Sequence, residues 1–145
     1  MKGRRRARSV ALQALYELDS THHDPGTVLA HRFSDARLKP EGEAFARALV
    51  AGVLRERDRL DALIQRHAPE WPIDQLAVVD RNVLRIAIFE FEIAQITPMR
   101  VAINEAVELA KEFGADSAPR FVNGVLGAIA SAPDASTEHV EAAKK

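Results

Sequence analysis

The residues best suited to chemistry stand at the start of the chain, where basic side chains cluster without an acidic one. They are Lys2, Arg4, Arg5, Arg6 and Arg8. A guanidinium is planar and always charged, so it can bind two phosphate oxygens at once and stack on bases. All 21 acidic residues lie further along, although the net charge is only −1. A basic arm on an acidic body indicates an anionic ligand, of which RNA is the favoured kind, and a merely solvated basic start is the equal alternative.

The arm coincides with the first turns of a predicted helix, where positive charge opposes the helix dipole. We therefore expect something outside the fold to account for these arginines. Tyr16, the only tyrosine, follows Arg8 by two turns on nearly the same face. A tyrosine there stacks on a base or anchors a protein partner. The alternative is a half-buried tyrosine at the edge of the core.

Other reactive constellations are weak. The chain has no cysteine, which excludes a disulfide, a thiolate nucleophile and a thiolate zinc site. Adjacent residues such as His22 and His23 rarely converge on one metal ion. A solvated helix face is predicted for Glu105, Glu108 and Glu112. The sequence thus predicts no catalytic site, no metal and no cofactor, and a protein that is not an enzyme.

The elements that must position these residues are helices. Apolar residues recur at three- and four-residue intervals almost throughout, which predicts an all-α fold of about seven helices. Pro25 is placed to begin the second helix and Pro40 to end it, whereas Gly114 ends the sixth and Pro119 begins the seventh.

Polar residues before apolar runs predict further helix starts. Asp58 is the expected N-cap of the fourth helix, and Asp74 that of a long buried fifth helix reaching about residue 96. Thr97 is the expected cap of the sixth helix. Gly124 and Gly127 fall inside the seventh, and each costs about 1 kcal/mol relative to alanine. We therefore expect another helix to pack closely against these glycines.

The length of 145 residues suits a single domain, which is predicted over residues 1–132. Residues 133–145 hold too little apolar surface to pack, which predicts a flexible tail. No apolar run is long enough to span a bilayer. Charged residues interrupt the apolar stretch after the basic start, so a targeting peptide is disfavoured and a cytoplasmic location is expected.

Four segments, in this order and spacing, resemble the NusB family of transcription antitermination factors. They are RRRARSVALQALYELD, VLRIAIFEF, VAINEAVELAKEFG and FVNGVL. The resemblance covers residues 4–130 and is most specific over residues 101–126. It implies two packed helical subdomains, at about residues 4–68 and 73–132. It also implies binding, together with the ribosomal protein NusE, to the boxA element of nascent ribosomal RNA, so that RNA polymerase in the antitermination complex resists premature termination.

The resemblance also assigns RNA-binding residues. Arg5, Arg6 and Arg8 match the family's arginine-rich RNA motif, and Arg4 belongs to the same arm. The loop at residues 114–120 matches a second RNA-contacting segment. This match gives Asp116, Arg120 and Phe121 as candidates. Asn123 is a candidate from the residue types alone, because it stands near Phe121, which is expected to be exposed, and the two could form a base-contacting pair.

The implied protein-binding residues are Tyr16, Asp74 and Asp80, which match positions that grip NusE. Acidic contacts suit a basic ribosomal protein and agree with the acidic body of the chain. Two alternatives stay open: an isolated RNA-binding domain related to the N-terminal domain of ribosomal RNA methyltransferases, and a helical module that binds only protein. The free state, monomer or homodimer, is also open.

Overall fold

The computed structural model describes residues 2–132, and α-helices account for most of them. The helices are α1 (Lys2–Ser20), α2 (Pro25–Ala36), α3 (Pro40–Arg55), α4 (Arg57–His67), α5 (Val78–Ile88), α6 (Met99–Phe113) and α7 (Ala118–Ser131). A 3₁₀ turn, Ile73–Gln75, precedes α5, and a π-helical turn, Phe89–Ile93, follows it. Residues 2–132 contain no strand. The prediction of an all-α fold with about seven helices is confirmed.

Helix α5 lies at the centre of the fold. It packs against α1, α6, α7 and α4. Helix α1 in turn packs against α2 and α3. Every residue from Asn82 to Ile88 is buried, as expected for a helix that is apolar on most sides. Helix α1 faces this core with Ala7, Ala11 and Ala14, all fully buried. Small side chains let helices approach closely, so the start of α1 is fixed against the rest of the molecule.

Several predicted helix starts are confirmed. Helix α2 begins at Pro25, and the Asp24 carboxylate caps it by accepting a hydrogen bond from the Thr27 backbone N–H at 3.0 Å. Helix α7 follows Ser117 and carries proline in its first turn. Gly114 ends α6 as predicted. Proline at the start of a helix loses nothing, because its missing N–H would have no partner there.

Three predicted caps are wrong. Helix α4 begins at Arg57 rather than after Asp58, with no side-chain cap. Asp74 lies in the 3₁₀ turn, and α5 begins only at Val78. The Gln65 side chain explains this delay, since it bonds to the carbonyl of Trp71 and accepts from the backbone N–H of Ile73. The connection is thereby tied to the end of α4.

The third is Thr97, whose hydroxyl donates to the buried carboxylate of Glu90 at 2.6 Å instead of capping α6. Pro98 occupies the cap position, and α6 starts at Met99. Pro40 also begins α3 instead of only ending the preceding unit.

The helix-packing role predicted for Gly124 and Gly127 is wrong. Among the described residues, no atom outside the local helix backbone lies within 4 Å of a Cβ built at either position. Within the described helices, Gly52 in α3 meets its neighbour most closely, because the Phe89 ring fills the space beside it. The close approach therefore joins α3 to the π-helical turn rather than α7 to another helix.

The division into two subdomains stays a prediction, and α1 contacts helices on both sides of it. The predicted flexible tail at residues 133–145 lies outside the described residues. Within residues 2–132, no helix is both long and apolar enough to cross a membrane.

Candidate nucleic-acid interface

The basic arm forms the first two turns of α1, and its arginines differ in exposure. Arg4, Arg5 and Arg6 are exposed, whereas Arg8 retains only 2% of its accessible surface. The Arg4 guanidinium lies 4.5 Å from the centre of the Phe45 ring, and Arg6 donates to the backbone carbonyl of Ala36. Contacts within the fold therefore hold the arm in place.

Arg8 lies in the core rather than on the surface. Its Nε and Nη2 donate to the two carboxylate oxygens of Glu90 at 2.9 and 2.7 Å, and Glu90 is itself 1% exposed. The Thr97 hydroxyl adds a third hydrogen bond to that carboxylate. A guanidinium enclosed in this way has no face for a phosphate, so we correct the expected role of Arg8 from RNA contact to structural anchor.

Arg5 is exposed, yet it also has an acidic partner. Its Nε and Nη2 donate to the carboxylate oxygens of Glu105 on α6 at 3.0 and 2.8 Å. The pKa of Glu105 lies below its ordinary value, mainly because of the hydrogen bond from Arg5. The expectation that only an outside ligand accounts for the arginines is therefore wrong for Arg5 and Arg8. The prediction that Glu105 belongs to a solvated face is wrong as well.

A groove of about 650 Å³ runs between the start of α1, the outer face of α6 and the start of α7. It brings together three predicted RNA-binding residues from opposite ends of the chain, Arg5, Arg120 and Asn123. Its lining also includes Lys111 and Asn104, which the sequence reasoning missed. Both are polar residues on the outer face of an amphipathic helix, and nothing in their spacing distinguishes them from ordinary solvated positions.

The other two candidates from the second segment lie differently. Phe121 is half-buried and packs against the core, so the expectation of an exposed aromatic ring is wrong. Asp116 is exposed in the loop before α7 and does not line the groove. Of the expected base-contacting pair, only Asn123 is available at the groove.

A second concavity of about 400 Å³ lies on the other side of the arm. Arg4 and Arg6 line it together with Lys39 and the edge of Phe45. Lys39 stands at the start of α3, where uncapped backbone N–H groups add positive potential. The exposed arginines therefore divide between two adjoining basic depressions.

The protein-binding candidates lie at the other end of α1. Tyr16 is 47% exposed and borders a slot of about 360 Å³ whose walls include Val79 and Phe113. Asp80 follows Val79 in the first turn of α5 and is half-buried. Among the described residues, nothing donates to its buried Oδ1, and burial raises its pKa. Asp74 is exposed on the 3₁₀ turn.

Asp19 fixes α1 against this region, a role that the sequence did not reveal. Its Oδ2 accepts hydrogen bonds from Arg81 at 2.7 Å, from Asn82 at 3.0 Å and from Arg85 at 3.2 Å. Arg81 also donates to the carbonyl of Asp74. The network joins the helix that carries Tyr16 to the segment that carries Asp74 and Asp80.

Comparisons with known proteins agree with this architecture. The sequence model of the NusB family matches residues 5–131. The transcription antitermination protein NusB of Roseiflexus sp. (strain RS-1) is 52% identical over 130 residues, which cover 88% of this chain and 92% of that protein.

Solved structures agree as well. NusB of T. maritima superposes with a TM-score of 0.81 at 34% identity, covering 88% of this chain and 89% of that one. A chain in the crystal structure of the antitermination factors NusB and NusE in complex with dsRNA superposes with a TM-score of 0.81 at 30% identity. The match covers 89% of this chain and 96% of that one.

These matches decide between the families considered from the sequence. The related proteins are antitermination factors rather than methyltransferases or other enzymes. The predicted resemblance and the prediction of a non-enzymatic protein are therefore confirmed. The chain belongs to the NusB family of transcription antitermination proteins.

Proposed function

We propose that the chain binds single-stranded boxA-type RNA together with NusE and, within the RNA polymerase antitermination complex, helps the polymerase resist premature termination. The cytoplasm is then its place of action. The observation that carries the proposal is the groove in which Arg5, Arg120 and Asn123 meet. The structural neighbour solved with NusE and dsRNA supports both partners.

The groove offers groups that RNA recognition uses. Arg5, Arg120 and Lys111 supply positive charge for phosphates and outnumber the carboxylates of Glu105 and Glu108 in the same lining. The Asn123 amide offers a donor and an acceptor to a base edge. The adjoining depression with Arg4, Arg6 and Lys39 extends the positive surface beyond the arm. A single strand can follow such a track because its backbone bends easily and its bases are free to turn toward the protein.

The buried pair of Arg8 and Glu90 supports this surface from below. It ties the arm of α1 to the π-helical turn after α5, so that the exposed arginines start from a fixed backbone. A positioned donor loses less conformational entropy on binding than a mobile one. Arg8 therefore contributes to RNA binding through position and not through contact.

NusE binding is assigned to the face with Tyr16 and Asp80. An exposed tyrosine beside a slot with an apolar wall suits an anchoring contact, since it buries a large ring at low entropic cost. The half-buried Asp80 carboxylate lies close to this face and offers a basic partner a charge-assisted acceptor. This face and the RNA groove use different ends of α1, so both partners have room to bind together.

Replacing Arg120 with alanine tests the RNA site. We expect weaker binding of a short boxA RNA by the complex of the chain with NusE, and a salt dependence that is less steep by about 0.7 in log–log slope. Fluorescence anisotropy at several salt concentrations measures both quantities. Arg59→Ala, an exposed change on α4 outside both depressions, is the matched control. Equal affinity of the Arg120 and Arg59 variants would place the RNA elsewhere.

Replacing Asp80 tests the NusE site. Asp80→Asn should weaken NusE binding, and Asp80→Lys should weaken it by about 1–3 kcal/mol through repulsion and a lost charge-assisted bond. Calorimetric titration without RNA measures both.

Folding should not suffer in the asparagine variant. Burial raises the pKa of Asp80 in the folded chain above its value in the unfolded chain, which favours the protonated acid. The contribution of Asp80 to stability is therefore lost as pH rises from the unfolded pKa to the folded pKa. At neutral pH, asparagine removes that unfavourable charge, and the melting temperature should stay equal or rise. A variant that folds normally and binds NusE like the parent would contradict the assignment.

A further inference from the structure

The contact between Arg5 and Glu105 leaves part of the guanidinium free. Glu105 engages the edge formed by Nε and Nη2, and its two oxygens hold the geometry that a phosphate would take on the same fork. Arg5 keeps 59% of its side-chain surface and lines the groove, and its hydrogen bonds to Glu105 use Nε and Nη2 but not Nη1. A carboxylate of the protein thus occupies the best phosphate-binding edge of an exposed arginine.

Glu105 is held in this position from the other side as well. Its Oε1 lies 3.5 Å from Nη1 of the buried Arg8, and its side chain is only 15% exposed. Arg8 cannot move toward Glu105 or away from it, because Glu90 fixes it with two hydrogen bonds. The carboxylate is therefore a built part of the groove floor and not a mobile surface group.

We propose that Glu105 is an internal counterion from which RNA must draw the Arg5 fork, and that this competition lowers the protein's affinity for RNA. The proposal rests on the RNA-binding function proposed above. Non-specific binding depends almost wholly on charge, whereas a specific RNA adds base contacts such as those offered by Asn123. Both kinds of binding must break the same Arg5–Glu105 contact before the fork can hold a phosphate, so the contact lowers both affinities by a similar factor.

Replacing Glu105 with glutamine measures the competition. The amide keeps the shape but lacks the charge, so Arg5 becomes free to form an additional phosphate contact. We expect RNA binding to tighten about two- to fivefold, the range of an exposed ion pair, and its salt dependence to steepen by about 0.7 in slope. The gain should be similar for an oligouridylate and for a boxA RNA of equal length, because both meet the same fork.

Glu108→Gln is the matched control, because Glu108 lines the same groove and carries the same charge. Its partner is Lys111 at 3.4 Å, and it does not engage the Arg5 fork. Its replacement should therefore raise affinity less than Glu105→Gln. In a chain that also carries Arg5→Ala, the advantage of Glu105→Gln over Glu108→Gln should disappear.

The experiment is an anisotropy titration of both RNAs with the complex of the full chain and NusE, after thermal melting has shown that each variant is folded. Glu105→Ala serves as a second variant if the glutamine is poorly tolerated. Tighter binding that depends on Arg5 would support the competition. A Glu105 variant that binds no more tightly than the parent, or weakens binding, would overturn it. A parent complex without measurable RNA affinity would instead contradict the proposed function itself.

Discussion

Replacing Arg8 with methionine should lower the free energy of unfolding by about 3–5 kcal/mol, because it leaves the Glu90 carboxylate buried without its cation. Glu90 is 1% exposed, and of the side chains in residues 2–132 only the Thr97 hydroxyl would still donate to it. Two buried charges stabilise each other only as a pair, and the loss of one partner exposes the full desolvation cost of the other. Urea denaturation followed by circular dichroism measures the change.

Two variants separate the buried charge from loss of packing. Arg5→Met removes an arginine from the same arm at an exposed position, and it should melt close to the parent. Arg8→Met combined with Glu90→Met should recover much of the stability, since an apolar pair of similar volume often replaces a buried ion pair at little cost. A single Arg8→Met variant within 1 kcal/mol of the parent would show that water reaches Glu90.

Replacing Gly52 with alanine should also destabilise the fold, by about 1–3 kcal/mol, although alanine favours helices. The new Cβ would lie 2.1 Å from Cζ and 2.3 Å from Cε1 of Phe89. That ring is 5% exposed and belongs to the first residue of the π-helical turn, so it cannot move without shifting buried neighbours. Denaturation of the variant measures the cost.

Gly124→Ala is the matched control for this substitution. Both glycines lie inside helices, but the Cβ at Gly124 would meet no described atom within 4 Å outside its own helix backbone. There the ordinary preference for alanine should prevail and stabilise the protein by about 0.5–1 kcal/mol. If the two variants have the same stability, the close approach of α3 to Phe89 is wrong.

The helices were largely predictable from the sequence because periodicity and proline report directly on local structure. Pro25, Pro119 and Gly114 mark ends that the structure confirms. The failures occur where a side chain has a tertiary partner. Asp74 and Thr97 have the residue types of helix caps. However, Gln65 binds the segment just before Asp74, and the Thr97 hydroxyl donates to Glu90 instead of capping its helix. No local pattern reveals such a competitor.

The buried pair left a signal that the sequence reasoning did not use. Arg8 stands four residues before Leu12 and seven before Leu15, so it shares the apolar face of α1. Glu90 interrupts an otherwise apolar run at the end of the central helix. One cation on a buried face and one anion in a buried run predict a pair, because neither is stable there alone. The pairing of Arg5 with Glu105 carries no such signal, since Arg5 is exposed and Glu105 stands among other polar residues of α6.

The residue types of the candidate RNA site were predictable from the sequence, but their meeting in one groove was not. Arg5 and Arg120 are separated by almost the whole chain, and only the packing of α6 with α7 and of α1 with α5 brings them to one groove. Conversely, Phe121 has the residue type of a base-stacking side chain, but its helix turns it toward the core.

Cross-linking of a boxA RNA carrying photoreactive uridines to the complex of the chain with NusE tests the central claim most directly. Mass spectrometry then identifies the attached peptides. We predict cross-links to the arm around Arg4–Arg6 and to the start of α7 around Arg120 and Asn123, which border the same groove. Cross-links confined to other surfaces, with these two segments unmodified, would contradict the account.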